Sequence, residues 1–145
     1  MSSPLSGALA VAFLALAAAP ALAQGDAAKG EKVFKKCLAC HAIAPDAPKK
    51  PGPNLHDVVG RQTGTFPDFQ YSEAMAKLGA EGHVWTPEEI EKFLADPKGM
   101  VPGTKMTFAG LKKPEERADV VAYLITLHPE GAAAAAPAAE PTPAP

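Results

Sequence analysis

Cys37 and Cys40, three residues apart with His41 immediately after, are the part of this sequence best equipped for chemistry. C-x-x-C-H is the signature of covalent haem attachment. Two thiols on one turn can add across the two vinyl groups on one edge of a porphyrin. The next side chain is then held under the iron, where a neutral imidazole nitrogen is a good axial ligand. These are the only two cysteines in 145 residues, which weakens the competing readings. A structural zinc site calls for a second Cys or His pair at ligand spacing. A redox dithiol calls for a strand-to-helix junction, and the flanking sequence shows no strand. A dithiol and a metal site stay as the alternatives.

An iron held by His41 has a sixth position, either open or filled. Met75, Met100, Met106, His56, His83, His128 and several lysines are candidates for it. A methionine is more often core packing than a ligand. Met106 stands apart because it sits in a turn-rich loop, Val101 to Gly110, that a ligating methionine could anchor.

The elements that must position these residues are helices. Asp26 is a good N-cap for a first helix, and Gly30, Val33, Phe34 and Cys37 fall on one stripe at i, i+3, i+4 and i+7. Gly30 weakens that helix, so close packing against another helix is the compensation to look for. Residues 42–70 carry five prolines, from Pro45 to Pro67, and three glycines, which rule out long regular elements. A structureless stretch of that length makes sense if it wraps a large apolar cofactor.

Ser72 to Leu78 reads as a short helix ended by Gly79. Thr86, Pro87 and Glu89 form a start signal with a capping box, for a helix running through Ile90, Phe93 and Leu94 to Asp96. A loop, Lys98 to Lys113, follows. The last helix opens at Pro114-Glu115-Glu116 and carries Val120, Val121, Tyr123, Leu124 and Leu127. No period-2 alternation stands out. The fold class is all-α, with short helices and long loops around one covalently bound haem.

The two ends read differently. Residues 1–23 are small and apolar and finish in Ala21-Leu22-Ala23, an A-x-A-like site, so a cleaved signal peptide is expected although residues 1–7 hold no Lys or Arg. The uninterrupted apolar run is short for a membrane span. Residues 24–130 form the domain. Residues 131–145 are Ala- and Pro-rich and read as a disordered tail.

Formal net charge is −2, from 14 Lys+Arg and 16 Asp+Glu, so bulk charge says little about partners. Its distribution says more. Lys35, Lys36, Lys49, Lys50, Lys98, Lys105, Lys112 and Lys113 flank the cysteine motif or the methionine loop. They read either as an ordinary solvated surface or as a one-sided basic patch that steers an acidic partner.

Several ordered stretches now match one family. Cys37–His41, Gly52-Pro53-Asn54-Leu55, Val59-Gly60-Arg61, Pro102 to Gly110 and Arg117 to Leu124 closely resemble class I c-type cytochromes, the soluble bacterial relatives of mitochondrial cytochrome c. The resemblance covers about residues 25–128. It implies the cytochrome c fold, thioethers at Cys37 and Cys40, and His41 and Met106 as the axial ligands of one haem c. It implies that the Pro53 carbonyl receives the second ring nitrogen of His41. Arg61, Tyr71, Trp85 and Thr104 match the positions that surround and hydrogen-bond the haem propionates. Gly30, Phe34, Val120 and Tyr123 match the contact of first and last helices.

Two departures stand out. Phe93 occupies a position that is tyrosine in the mitochondrial branch, and the spacing between Tyr71 and Trp85 is longer; Met75 receives no role.

The resemblance implies a one-electron carrier rather than an enzyme. A quinol–cytochrome c reductase would be its donor, and an oxidase or photosynthetic reaction centre its acceptor. A monomer in the periplasm is expected, with neither nucleic-acid binding nor stable membrane insertion. The competing classes are a haem enzyme or gas-binding protein with an open distal site, and a tethered carrier retaining residues 1–23.

Overall fold

The computed structural model describes residues 25–127. The expected leader, residues 1–23, and the expected tail, residues 131–145, lie outside the described residues, as does His128. Five helices follow one another: α1 (Ala27–Phe34), α2 (Glu73–Ala80), α3 (Pro87–Ala95), α4 (Pro97–Met100) and α5 (Pro114–Thr126). Among the described residues the only sheet-like pairing is one isolated antiparallel bridge, Gln62 with Val84.

The helix starts follow local chemistry. The Asp26 carboxylate accepts from the backbone N–H groups of Ala28 and Lys29, and the Ser72 hydroxyl accepts from that of Met75. Thr86 accepts from the Glu89 N–H, with Pro87 just inside the helix. The expected capping box is only half made. The Glu89 carboxylate turns to His83 and Lys92, and the Thr86 N–H goes to the Val84 carbonyl.

Three boundaries differ from the sequence expectation. α1 stops at Phe34, so Cys37 lies in the turns that follow rather than on the helix. α2 runs past Gly79 to Ala80. Gly79 is there for space: a Cβ on it would overlap the Thr63 carbonyl oxygen. The loop after α3 opens with the single turn α4, capped by the Asp96 side chain on the Gly99 N–H.

α1 and α5 make the most extensive helix–helix contact. Phe34, Val120, Val121 and Leu124 are buried there, and the Phe34 and Tyr123 rings meet at 5.4 Å between centroids. Burying a Phe or Val side chain contributes roughly 1.5–3 kcal/mol. Gly30 lets the two backbones touch, because a Cβ on it would overlap the Asp119 carbonyl. The contact is stitched at its edge by the Asp26 N–H, which donates to the Asp119 carboxylate at 2.7 Å.

The irregular stretch 42–71 is tied down by backbone bonds. Gly60 N–H to Trp85 O, Trp85 N–H to Arg61 O and Thr63 N–H to His83 O, each 2.9 Å, zip residues 60–63 to residues 83–85. This satisfies backbone groups that the prolines keep out of helices.

Candidate functional site

The turn after α1 carries the cysteine motif. Cys40 N–H and His41 N–H both donate to the Cys37 carbonyl, at 3.0 and 2.9 Å, which coils residues 37–41 into one tight turn. Both thiols are free. Burial pushes the Cys37 thiol above its ordinary value, against the opposing pull of Lys36. A reactive redox dithiol needs the opposite shift. Among the described residues no three His, Cys, Asp or Glu side chains gather as metal ligands, so nothing there favours a structural zinc site.

His41 is held from behind. Its Nδ1 donates to the Pro53 carbonyl at 2.7 Å, the tautomer following from the acceptor. Nε2 is then the nitrogen left to act as an acceptor or ligand. Burial pushes the imidazole below its ordinary value; the Pro53 carbonyl opposes this, and Lys50 adds to it. A neutral ring is the ligating form. Gly52 makes the approach feasible, since a Cβ there would stand 2.8 Å from Nδ1.

Met106 sits half-buried in the loop between α4 and α5, packed on the hydrophobic core together with Leu55, Tyr71 and Phe108. Its N–H donates to the Thr104 hydroxyl oxygen at 3.2 Å. That hydroxyl keeps its own hydrogen to donate. Three of the other candidates for a sixth position are engaged differently. Met75 is buried in the core. His56 meets Asp57 through Nδ1 at 2.9 Å, and both ring nitrogens of His83 have partners.

Arg61, Tyr71 and Trp85 come together at one side of the core. The Arg61 guanidinium donates to the carbonyls of His56 and Asn54, both at 3.0 Å, and lies over the Phe66 ring at 5.1 Å. Burial holds its pKa below the ordinary value, while Tyr71 and Asp57 pull upward. The Tyr71 hydroxyl accepts from the Phe66 N–H at 3.3 Å, and burial pushes that phenol up. Trp85 packs on Phe93 at 5.1 Å and is bonded to Arg61 through the backbone. Thr104 is joined instead to Met106. Phe66 and His83 are the neighbours that the sequence motifs did not single out for this cluster.

These residues fit a haem. A thioether-forming pair on one turn and an imidazole with its second nitrogen already committed suit covalent attachment and axial ligation, and Met106 offers a thioether from the loop between α4 and α5. Arg61, Tyr71 and Trp85 supply donors suited to carboxylates.

The lysines divide into kinds. Lys36 and Lys113 both reach Glu116, at 3.1 and 3.9 Å. The Lys50 ammonium donates to the Leu38 carbonyl, between the two cysteines, and Lys105 and Lys112 donate to the carbonyls of Gln70 and Ala95. A carbonyl partner leaves the positive charge uncompensated. Among the described residues Leu38, whose carbonyl receives Lys50, is the exposed large hydrophobic side chain.

The chain is also similar to known proteins. Residues 27–128 match the family model described as Cytochrome c. The chain is 54% identical over 102 residues to cytochrome c2 of Agrobacterium tumefaciens, covering 70% of this chain and 92% of that one. It is 48% identical over 110 residues to cytochrome c2 of Rhodomicrobium vannielii, covering 76% and 86%. The solved structure of cytochrome c2 from Rhodospirillum centenum superposes with a TM-score of 0.68 at 44% identity, covering 71% of this chain and 98% of that one.

Proposed function

The chain belongs to the cytochrome c family, whose members carry one covalently attached haem c, and we propose that it works as a one-electron carrier with His41 and Met106 as axial ligands. Electron carriage is the common property of its cytochrome c2 relatives. The observation that supports this reading is the His41–Pro53 bond, which leaves Nε2 of His41 available as a ligand. When bound, the haem supplies a reversible one-electron couple.

The chain's own residues set the conditions for that couple. Cys37 and Cys40 would hold the group to the turn after α1, so that it is not lost between partners. The Pro53 carbonyl fixes the ring plane of His41 and raises the basicity of Nε2. The Met106 sulfur is a soft donor, which favours the lower oxidation state and raises the potential. His41 and Met106 together would leave no iron position for a substrate. Arg61, Tyr71, Trp85 and Thr104 would provide charge and hydrogen bonds for the propionates, with Arg61 already fixed by two carbonyls. Trp85 and Phe93 are buried and packed on each other, an apolar wall that would keep water from a group held against it.

Its partners belong to respiratory or photosynthetic chains; a quinol–cytochrome c reductase as donor and an oxidase or reaction centre as acceptor suit it best. Lys50, Lys105 and Lys112, with charge uncompensated, support short-lived docking on acidic surfaces. A periplasmic site of action fits the apolar leader. No helix of the described residues is long and apolar enough to cross a membrane.

The test is the absorption spectrum of the holoprotein. Haem should stay on the chain through denaturation, and the oxidised protein should show the weak far-red sulfur-to-iron band. Met106→Ala should abolish that band while leaving the haem attached. Survival of the band would overturn the assignment of Met106.

A further inference from the structure

Asn54 is a buried amide, 8% exposed, that stands between two groups of the site. The carbonyl before it, that of Pro53, receives Nδ1 of His41 at 2.7 Å. Its own carbonyl receives a guanidinium nitrogen of Arg61 at 3.0 Å. Peptide groups are planar, so the angle between these two carbonyls is set by the φ and ψ of Asn54 alone. Imidazole and guanidinium are thus aimed by consecutive peptide groups.

The Asn54 side chain holds that arrangement from two ends. Its Nδ2 donates to the Ala44 carbonyl at 2.7 Å, and its Oδ1 accepts from the His56 N–H at 2.8 Å. The partners dictate this orientation, because a backbone carbonyl only accepts and a backbone N–H only donates. Toward Ala44 the amide completes a short ladder. The carbonyls of Cys40 and Ala42 are taken by the N–H groups of Gly52 and Leu55, at 2.7 and 2.8 Å, and that of Ala44 is taken by Nδ2. Residues 52–55 are so anchored along the stretch that contains His41. Toward His56 the amide closes an Asx-turn. That turn presents the carbonyls of residues 54 and 56 to the two terminal nitrogens of Arg61, both at 3.0 Å.

We propose that Asn54 is a positioning residue for electron transfer: the donor end of its amide sets the carbonyl that holds His41, and the acceptor end sets the pair of carbonyls that holds Arg61. This rests on the reading of His41 as an axial ligand. Electron transfer adds or removes one charge, and groups already aimed need not rearrange when it does. Only an amide serves both ends. Aspartate would keep the turn but lose the donor, and alanine would lose both.

The experiment is proton NMR of the holoprotein, with exchange of the His41 Nδ1–H and of the Arg61 guanidinium hydrogens as readouts. Asn54→Asp keeps the size of the side chain and the acceptor for His56, but sets an oxygen against the Ala44 carbonyl. The His41 Nδ1–H should exchange about tenfold faster there, the size expected for one lost hydrogen bond, while the Arg61 hydrogens stay protected. The haem methyl resonances of the ferric protein, whose spread follows the plane of an axial imidazole, should be redistributed. Asn54→Ala should speed exchange at both sites by about tenfold or more. Val121→Ala, a cavity in the contact of α1 with α5, is the comparison for plain loss of stability and should keep the wild-type methyl pattern.

Unchanged His41 exchange in Asn54→Asp would overturn the proposal. Equal loosening of both sites in that variant would overturn it too, as would the same methyl redistribution in Val121→Ala. These outcomes stand on a variant of the same shape as wild type, so they decide even where Asn54→Ala does not fold. Failure of the ligand reading would look different: the His41 ring of the ferric wild type would show no paramagnetic shift, and both readings would fall.

Discussion

Gly52 backs directly onto the imidazole of His41: a β-carbon on it would stand 2.6 Å from Cε1 and 2.8 Å from Nδ1. The ring and the loop are therefore fitted to each other, and the bond from Nδ1 to Pro53 depends on the missing side chain. Gly52→Ala should displace the ring from the Pro53 carbonyl. The expected cost is about 1–3 kcal/mol in chemical denaturation, with a lowered midpoint potential in the holoprotein. Unchanged stability and potential would mean that the loop yields freely.

Three other glycines should separate close packing from backbone strain. At Gly30 and Gly79 a Cβ would overlap the backbone of Asp119 and Thr63. Gly82 has open space around it but a φ of 90°. Gly30→Ala and Gly79→Ala should each cost about 3 kcal/mol or more, beyond ordinary overpacking because backbone cannot step aside as a side chain does. Gly82→Ala should cost about 1 kcal/mol, the penalty for a left-handed backbone. Denaturant midpoints at constant m-value give the order.

Glu89 gives a pH-dependent stability with a defined sign. Its hydrogen bonds to Lys92 and then to His83 hold its carboxyl below the ordinary value of 4.5. A depressed carboxyl pKa contributes stability that is present above pH 4.5 and lost as pH falls through the folded value. Glu89→Gln should therefore be less stable than wild type at pH 7, by on the order of 1 kcal/mol or less for this partly exposed pair. The two proteins should converge at strongly acidic pH, as measured by urea unfolding at both.

Docking should respond to salt and to one lysine more than another. Reduction by the physiological donor should slow steeply as ionic strength rises. Lys50→Glu, beside the exposed Leu38, should slow it by about tenfold at low salt and very little at high salt. Lys36→Glu should change it less, because Glu116 already offsets that charge. Stopped-flow rates across a salt series decide, and a flat response would rule out electrostatic docking.

Much of this architecture is legible in the sequence because its signals are local. Asp26, Ser72 and Thr86 cap the helices their types suggest, and Cys37, Cys40 and His41 share a single turn. What escapes the sequence is decided by distant neighbours. Gly79 reads as a helix end, yet its meaning is the Thr63 carbonyl 16 positions earlier. Glu89 reads as half of a capping box, but a histidine beyond the cap offers it a charge-assisted bond instead. His83 reads as one possible ligand among several; only the backbone pairing of residues 60–63 with 83–85 brings Thr63 and Trp85 to it. α4 is a single turn, too short for periodicity to register.

The pairing of α1 with α5 also sets an order in time. α1 has 8 residues, well below the length of roughly 12–15 at which an isolated helix holds together in water. The surface that supports it is among the last of the domain to leave the ribosome. Until residues 114–126 exist, Cys37 and Cys40 sit on an unclosed chain. Chemistry that needs both thiols open therefore has the time before α5 docks in which to act. Arrival of the final helix then shuts the ring of structure behind it.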